Sequence, residues 1–188
     1  IKTRSTRVPG KNFRKLNGKR LFEYVIDSAI ESSSFDVIYV DTDSIDVSTY
    51  AKSRGCSVLE RDPILALDSA NGNDLLNSWY RLFPDYDEYF QLFATSPFNS
   101  SKTIKSCVAI LTNTDKYDSI LTAHEECGWY WFEGSPINYD PKILPRSQDA
   151  KKVFSETTAL YGIKNKTLKS VKSRIGNFPY FYFVDDIE

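Results

Sequence analysis

The side chains best suited to chemistry lie near the start of the chain. Four cationic residues, Lys2, Arg4, Arg7 and Lys11, surround the Pro-Gly turn at 9–10. In such a loop, backbone N–H groups and lysine or arginine side chains neutralise the charge on phosphate oxygens. Such a loop suits a polyphosphate, although the run of charge alone favours a solvated terminus; the placement at a strand end, given below, reverses that order. A solvated basic terminus is the alternative, because runs of charge are usually exposed.

The elements that must position this loop alternate between helix and strand. Helical spacing of apolar residues, polar caps and a stop at Gly55 predict helices over 21–30, 45–54, 75–83 and 101–111. Continuous apolar runs predict buried strands over 37–40, 56–59 and 89–94. This alternation predicts an α/β fold with a Rossmann-like, mostly parallel sheet flanked by helices.

The pattern changes after residue 118. Further strands are predicted at 119–123, 153–163 and 181–184, with an aromatic, turn-rich hairpin at 129–139. We interpret the chain as a single domain over 1–188 in which a β-rich arm, at about 119–162, interrupts the sheet.

Composition excludes several broad classes. A net charge of −1 argues against a general nucleic-acid or membrane-surface binder. No apolar run has transmembrane length, and no signal peptide is recognisable. Three well-separated cysteines and one histidine do not make a zinc site. We therefore expect a cytoplasmic protein without a membrane or nucleic-acid partner.

The candidate site lies where the predicted parallel strands end, because open α/β sheets bind ligands outside the carboxyl ends of their strands. With Ile1 as the last residue of a first strand, the basic loop leaves that end, and 41–43 leaves the next. Arg61 and the pair 95–96 follow two further strands. Neither G-x-G-x-x-G nor a Walker A loop is present, so a nucleoside triphosphate suits this crevice better than a dinucleotide.

Five short motifs, in order, resemble those of the CMP-sialic acid synthetases, the acylneuraminate cytidylyltransferases. They are RSTRVPGKN at 4–12, LNGKRL at 16–21, VDTD at 40–43, ERDP at 60–63 and QLFATSPF at 91–98. The resemblance covers residues 1–110 and extends loosely into the arm. It implies a nucleotidyltransferase fold, with the arm crossing to a partner subunit in a homodimer.

The resemblance also implies a reaction: transfer of CMP from CTP to an acidic, sialic-acid-like sugar, with release of pyrophosphate, for surface polysaccharide synthesis. In-line attack on the α-phosphorus requires the protein mainly to position reactants and neutralise charge. The implied catalytic residues are Arg4 and Lys11. The implied nucleotide-binding residues are Arg4, Arg7, Lys11, Asn12, Arg61, Asn73 and Asp74. The implied substrate-binding residues are Gln91, Thr95, Ser96, Lys142 and Arg146.

Several of these residues have a structural alternative. Asn73 suits a helix cap, and Gln91 suits a strand amide satisfied by backbone. Lys142 and Arg146 suit exposed charges on a loop. The one histidine, His124, suits a core or interface position better than a general base.

The resemblance implies Mg²⁺ as cofactor. The family's Asp-Ile-Asp-Thr metal site is expected a few residues beyond Glu188, with Asp185 and Asp186 as weaker candidates. Magnesium usually takes one or two protein carboxylates together with phosphate oxygens.

The arm departs from the family pattern. Where the family commonly carries an arginine after phenylalanine, Phe154 is followed by Ser155 and Glu156, and an acidic residue there repels a sugar carboxylate. Lys142 and Arg146 then become the expected carboxylate partners. The aromatic run at 129–132 is expected at the dimer interface, with sugar stacking as the alternative.

Two other functions stay open. The fold also suits a nucleotidyltransferase that uses another acceptor (a different sugar acid or a phosphonate) or another nucleoside triphosphate. It suits equally a non-catalytic nucleotide-binding module.

Overall fold

The computed structural model describes residues 1–6 and 8–185. The predictions placed on Arg7, on Asp186 and beyond Glu188 therefore lie outside the described residues. The helices in this part of the chain are α1 (Leu21–Ser32), α2 (Ile45–Ser53), α3 (Gly72–Leu82), α4 (Ser101–Thr112) and α5 (Asn165–Val171). The strands are β1 (Lys15–Leu16), β2 (Lys19–Arg20), β3 (Tyr39–Thr42), β4 (Ser57–Glu60), β5 (Glu88–Leu92), β6 (Ser119–Glu126), β7 (Trp131–Phe132), β8 (Ser135–Pro136), β9 (Val153–Lys164) and β10 (Pro179–Phe183).

The sheet structure is mixed. Four strands follow the order β10-β6-β9-β5, in which β10 runs parallel to β6 and β9 runs antiparallel to both of its neighbours. Strands β3 and β4 form a separate parallel pair. Helices pack against these strands, so the predicted α/β class is confirmed.

Apolar faces hold the helices on the strands. Helix α1 buries Phe22, Val25 and Ile26 against β3 and α2, and α4 packs Ile104 and Leu111 against β6 and β9. A third cluster joins α3 and α5 to β5 and β9. Within the described residues, no helix has both the length and the apolarity needed to cross a bilayer.

The arm is shorter than predicted. Strands β6 and β9, which the predicted arm of 119–162 includes, pair with each other inside the sheet over most of their length. Only 127–152 leaves the sheet, and it carries the short β7–β8 hairpin. Asn138 closes the base of this segment by donating to the carbonyls of Gly128 and Lys151, both at 2.7 Å. The sequence assigned these strands to the arm because the pairing of β6 with β9 joins residues far apart in the chain, which no local pattern reveals.

Candidate nucleotide-binding site

The basic loop is anchored beside the carboxyl end of β3. The Thr42 hydroxyl donates to the Ile1 carbonyl at 2.7 Å, and the Thr3 N–H donates to the Asp43 carboxylate at 2.7 Å. The Ile1 amino group donates to the Asp41 carbonyl. Residues 1–3 therefore run in the same direction as 41–43, as predicted for a chain leaving a strand end.

The turn that follows places Lys11 at the start of a short 3-10 helix, Lys11–Phe13. Gly10 precedes it with φ at 63°, in the left-handed region where glycine carries no steric penalty. Asn12 is buried, and its Nδ2 donates to the Lys2 carbonyl at 3.1 Å. Asn12 thus supports the loop from within.

Of the described loop cations, Lys2 is engaged in an ion pair, whereas Arg4 only acts at longer range on the charge of Asp68. The Lys2 ammonium pairs with Asp68 at 2.6 Å. In the part of the chain that the structure describes, neither Arg4 nor Lys11 has a side-chain hydrogen bond or ion pair, and both line the large cavity described below. Their charges are therefore available to a ligand.

A buried ion pair underlies the same strand end. The Arg61 Nε donates to Asp41 Oδ1 at 2.7 Å, and both side chains are under one-tenth exposed. The Trp79 indole N–H donates to the other oxygen, Asp41 Oδ2, at 2.7 Å. Arg61 Nη2 also reaches the Asp41 carbonyl at 3.3 Å. Arg61 is thus held by protein groups, and its contact with nucleotide stays a prediction.

Gln91 points into the space between β5 and the start of α3. It is 2% exposed, and its Nε2 donates to the Gly72 carbonyl at 2.8 Å. No described atom bonds to its Oε1. The interpretation as a strand amide satisfied by backbone thus accounts for Nε2. Oε1 is a buried acceptor without a described partner, and such groups usually have a specific reason.

Arg174 lies directly beside Gln91. A Cβ added at Gly72 would come within 2.8 Å of Arg174 Nη1 and 3.6 Å of Gln91 Oε1. Because Gly72 has no side chain, the Arg174 guanidinium and Gln91 Oε1 can both lie against its backbone. The Arg174 backbone N–H donates to Asn73 Oδ1 at 2.9 Å, which fixes this segment on α3.

The guanidinium of Arg174 stacks on an aromatic side chain of β9. Its Cζ is 3.7 Å from the centre of the Tyr161 ring, and its Nη2 is 3.7 Å from Glu156 Oε2. Burial, and then the hydrogen bond to Glu156, raises the pKa of Tyr161 well above its usual range. Glu156 thus lies beside the Arg174 guanidinium and the protonated Tyr161 hydroxyl. The charge of Arg174 offsets the repulsion of a sugar carboxylate that the sequence analysis expected from Glu156.

A cavity of about 970 Å³ joins the basic loop, Arg61 and Gln91, whereas Arg174 lies outside its lining. The site residues predicted from the sequence that line it are Arg4, Lys11, Asn12, Arg61, Gln91 and Thr95. These residues come from the basic loop and from the carboxyl ends of β4 and β5, where the sequence placed a phosphate site.

The first turn of α3 holds two further predicted residues. Asp74 belongs to a capping box: its N–H and that of Asn73 donate to the Asn71 side chain, and the Asp74 carboxylate accepts from the Asn71 N–H at 2.8 Å. The helix cap is therefore Asn71 and not Asn73, for which the sequence analysis had offered that role. Neither Asn73 nor Asp74 lines the cavity.

The predicted carboxylate partners lie in the arm, outside the cavity lining. Lys142 is exposed, and the exposed Arg146 pairs with Asp149 at 2.6 Å. The structure therefore supports the exposed-charge interpretation for both. His124 lies on β6 with a buried Nδ1 that has no described partner, as a strand residue rather than a cavity residue.

Sequence reasoning missed Arg174 and Trp79. Arg174 follows a lysine-rich helix and resembles a solvated charge in the sequence, because nothing local indicates its stacking on Tyr161. Trp79 fits the apolar stripe of α3, and the carboxylate that its indole reaches is 38 residues earlier in the chain. Both contacts depend on tertiary structure.

The architecture is shared with known nucleotidyltransferases. A solved structure of CMP:2-keto-3-deoxy-manno-octonic acid synthetase complexed with CTP matches with a TM-score of 0.70 at 16% identity, covering 98% of this chain and 88% of that one. A 4-diphosphocytidyl-2C-methyl-D-erythritol synthase from Anaerococcus prevotii also matches with a TM-score of 0.70, at 9% identity, covering 99% of this chain and 86% of that one. The class that the fold and the strand-end site define is a nucleotidyltransferase-type α/β domain.

Sequence comparison narrows this class. The chain belongs to the cytidylyltransferase family, whose sequence profile matches residues 2–183. It is 30% identical over 170 residues to N-acylneuraminate cytidylyltransferase of Oncorhynchus mykiss, covering 86% of this chain and 39% of the relative. The N-acylneuraminate cytidylyltransferase of Streptococcus agalactiae serotype V is 29% identical, covering 93% of this chain and 44% of the relative. The resemblance predicted from the motifs is confirmed, and the chain spans about two fifths of the length of these curated relatives.

A bacterial relative carries a different sugar in its name. CMP-N,N'-diacetyllegionaminic acid synthase of Legionella pneumophila is 37% identical over 117 residues, covering 60% of this chain and 50% of the relative. The names of these relatives thus include more than one acidic sugar.

Proposed function

We propose that this chain carries the nucleotide site of a CTP-dependent cytidylyltransferase, which transfers CMP to an acidic sugar and releases pyrophosphate. The observation that carries the proposal is the pair of free cations, Arg4 and Lys11, on an anchored loop at the carboxyl end of β3. Cations placed in this way neutralise charge that develops on a triphosphate during in-line attack. The family membership supports CTP as the nucleotide.

The central test is a binding and turnover screen. Calorimetry with the four nucleoside triphosphates is expected to give the tightest binding with CTP. Pyrophosphate release is then measured with CTP, Mg²⁺ and a panel of acceptors that includes N-acetylneuraminate, a legionaminate, a 3-deoxy-octulosonate and a phosphonate. Binding of CTP without turnover on any acceptor would favour the non-catalytic module, whereas preference for another nucleotide would reject the proposal.

Arg174 is the residue that we propose for the acceptor's carboxylate. Its guanidinium is held by stacking on Tyr161 and lies beside the free Oε1 of Gln91, which accepts a hydroxyl or amide proton. A planar guanidinium suits a carboxylate, because it donates two parallel hydrogen bonds. The fixed position of Arg174 and its neighbour Gln91 favour it over Lys142 and Arg146.

Replacing Arg174 with alanine should raise the KM for the acceptor by about 10- to 100-fold, the usual cost of one charge-assisted hydrogen-bond pair. Affinity for CTP should change little, because the proposed triphosphate contacts, Arg4 and Lys11, line the large cavity and Arg174 does not. Arg174→Lys keeps the charge but loses the fork, so it should recover only part of the loss. Steady-state kinetics with varied acceptor measures these effects.

Arg81→Ala is the matched control, because Arg81 is exposed in the last turn of α3, at the other end of that helix from the first turn on which Arg174 is held. It should leave the KM for the acceptor unchanged. A loss of acceptor affinity in Arg146→Ala, with unchanged affinity in Arg174→Ala, would contradict the assignment. It would mean that Arg146, in the arm, binds the acceptor's carboxylate.

Magnesium remains a proposal that rests on the resemblance. The described residues contain no group of three or more metal-ligating side chains, and Asp185 is an isolated exposed carboxylate. Because Asp41 is already paired with Arg61, the described carboxylates at this strand end do not fit a metal site by themselves. We therefore assign no step to the metal.

We also propose that the arm forms a homodimer interface. Its large apolar side chains are widely exposed, among them Trp131 at 57% and Phe132 at 64%. Exposed apolar patches of this kind mark interaction surfaces. The double variant Trp131→Ser/Phe132→Ser should shift a dimer to monomer in sedimentation analysis, and an unchanged sedimentation coefficient would contradict this use of the arm.

We further propose the cytoplasm as the compartment. Cys56 and Cys127 carry free thiols in the described part of the chain, as is usual where thiols are kept reduced.

A further inference from the structure

Arg174 lies on the loop of residues 172–178, which joins α5 to β10 (the Arg174 loop). In the part of the chain that the structure describes, this loop contributes no side chain to the three apolar clusters that hold the helices on the strands. Segments with few buried apolar contacts open easily, so the position of the loop depends on its polar contacts. Those contacts therefore decide where the Arg174 guanidinium lies.

Helix α3 holds the first half of the Arg174 loop. Asn77 Nδ2 donates to the Lys172 carbonyl at 2.8 Å, and the Arg174 N–H donates to Asn73 Oδ1 at 2.9 Å. Asn77 is itself held on the helix, because its Nδ2 also donates to the Asn73 carbonyl at 2.8 Å. These contacts fix the chain before Arg174 and at its own N–H. The chain after Arg174 needs a separate anchor.

That anchor lies at the start of β6. Asp118, directly before β6, accepts from two consecutive backbone N–H groups, that of Asn177 at 2.8 Å and that of Phe178 at 3.0 Å. The Ser119 hydroxyl accepts from the Gly176 N–H at 2.8 Å. Hydrogen bonds from backbone N–H groups to a carboxylate are among the stronger ones in proteins, because the acceptor is charged.

Gly176 makes this close approach possible. A Cβ at Gly176 would lie 2.6 Å from Asp118 Cγ and 2.7 Å from its Oδ2, so the carboxylate occupies space that any other side chain would need. The Asp118 backbone is fixed on both sides, since its N–H donates to the Phe178 carbonyl and its carbonyl accepts from the Lys164 N–H, both at 3.1 Å. Asp118 is thus a rigid anchor for the segment that directly follows Arg174.

We propose that Asp118 is a positioning residue for Arg174: by holding 176–178, it keeps the guanidinium against the Tyr161 ring and beside Gln91. This role rests on the proposed function, in which Arg174 binds the carboxylate of the sugar acceptor. A binding group must be held to within about 0.5 Å of its productive position, and residues that support it from behind supply that precision. Asp118 acts through the backbone of the Arg174 loop and not by contact with the sugar.

Asp118→Ala should raise the KM for the sugar by about tenfold, with kcat and the affinity for CTP nearly unchanged. Loss of a contact made equally in the ground state and the transition state gives this pattern, whereas general damage to the fold lowers kcat through the active fraction. Asp118→Asn keeps one acceptor oxygen and should recover part of the loss. Steady-state kinetics with N-acetylneuraminate, or with the panel member that is turned over fastest, measures both variants.

Gly176→Ala tests the same anchor without removing a polar group, and it keeps the test valid if Asp118→Ala folds poorly. Its methyl group displaces the carboxylate, so the KM for the sugar should rise as in Asp118→Ala. Asp115→Ala is the matched control, because Asp115 is an exposed carboxylate in the same connection between α4 and β6. It should leave the KM unchanged. An equal rise in Asp115→Ala would overturn the positioning role, because it would show a general effect of charge.

A double variant separates positioning from an independent contribution. In the Arg174→Ala background, Asp118→Ala should raise the KM for the sugar no further, because the side chain that Asp118 positions is already absent. A second, full loss in that background would overturn the positioning role.

NMR spectroscopy gives a measurement that needs no turnover. The ring current of Tyr161 shifts the proton signals of the stacked Arg174 side chain upfield. This shift should collapse in Asp118→Ala and Gly176→Ala and persist in Asp115→Ala. Unchanged Arg174 signals in the first two variants would overturn the positioning role. If Arg174→Ala leaves the KM for the sugar unchanged, the carboxylate assignment fails, and these signals alone then decide whether Asp118 positions Arg174.

Discussion

Replacing Lys11 with alanine should weaken CTP binding by about 10- to 100-fold, with little effect on folding. A hydrogen bond to a charged group contributes about 1.5–3 kcal/mol, which corresponds to this loss in affinity. Lys11 carries the expectation because its ammonium is free while the loop around it is held by Asn12 and Lys2. Truncation thus removes a ligand contact and leaves the loop in place. Calorimetry measures the affinity, and thermal melting checks that the fold is unchanged.

Lys15→Ala is the matched control for this prediction. Lys15 lies four residues further on, exposed on β1, and does not line the cavity. It should bind CTP as the parent protein does. Added salt should weaken CTP binding in the parent more than in Lys11→Ala, because one charge contact is already missing there. Normal binding by Lys11→Ala would show that the triphosphate does not sit in this loop.

Arg4 refines the same experiment. It lines both the large cavity and a smaller one of about 550 Å³, bounded by Pro9, Gly10 and 66–68. Loss of binding in Arg4→Ala together with normal binding in Lys11→Ala would place the phosphates toward the smaller cavity. Similar losses in both variants would place them between the two cations.

The elements that were predicted well have strong local signals. The apolar stripe of α1 fixed its start at Leu21, and the prediction missed only its last two residues, to Ser32. Helix α3 was predicted too, but from residue 75 with Asn73 as a possible cap, whereas the capping box of Asn71 and Asp74 begins the helix at Gly72. The carboxyl-end rule then brought the basic loop, Arg61 and Thr95 to one cavity.

The elements that were missed have weak or contradictory local signals. Helix α5 is rich in lysine and buries only Leu168, so its sequence is equally typical of a solvated loop. Strand β9 was predicted close to its observed range, but its place beside β6 depends on pairing over long separation, which no local pattern reveals. The arm boundary was therefore drawn too wide.

The site shows the same division. Residue types at strand ends indicate a phosphate site, but they do not show which cations are already engaged. Arg61 and Lys2 proved to be paired with Asp41 and Asp68, while Lys11 is free. Pairing is a property of tertiary structure, so a cationic motif predicts the location of a site better than the role of each residue.

The buried pair of Asp41 and Arg61 predicts the largest effect on stability. Asp41→Asn keeps the shape of the side chain but leaves the Arg61 guanidinium, at 7% exposure, without a counter-charge. Removing one partner of a buried pair costs about 3–5 kcal/mol. In a domain of this size each kcal/mol lowers the melting temperature by about 2–4 °C, so we expect a fall of roughly 6–20 °C. Asp43→Asn is the control, because Asp43 is exposed and, among the described residues, accepts hydrogen bonds only from Thr3; its melting temperature should fall by far less.

A double variant separates the pair from its two charges. In Asp41→Leu/Arg61→Met both charges are removed together, and replacing a buried pair with apolar residues is often neutral or stabilising. The Trp79 indole then loses its acceptor, which costs about 1–3 kcal/mol. The double variant should therefore melt above Asp41→Asn but below the parent protein. Recovery to the parent melting temperature would mean that the indole contact contributes nothing. A double variant no more stable than Asp41→Asn would mean that the loss came from Asp41 itself and not from an uncompensated Arg61.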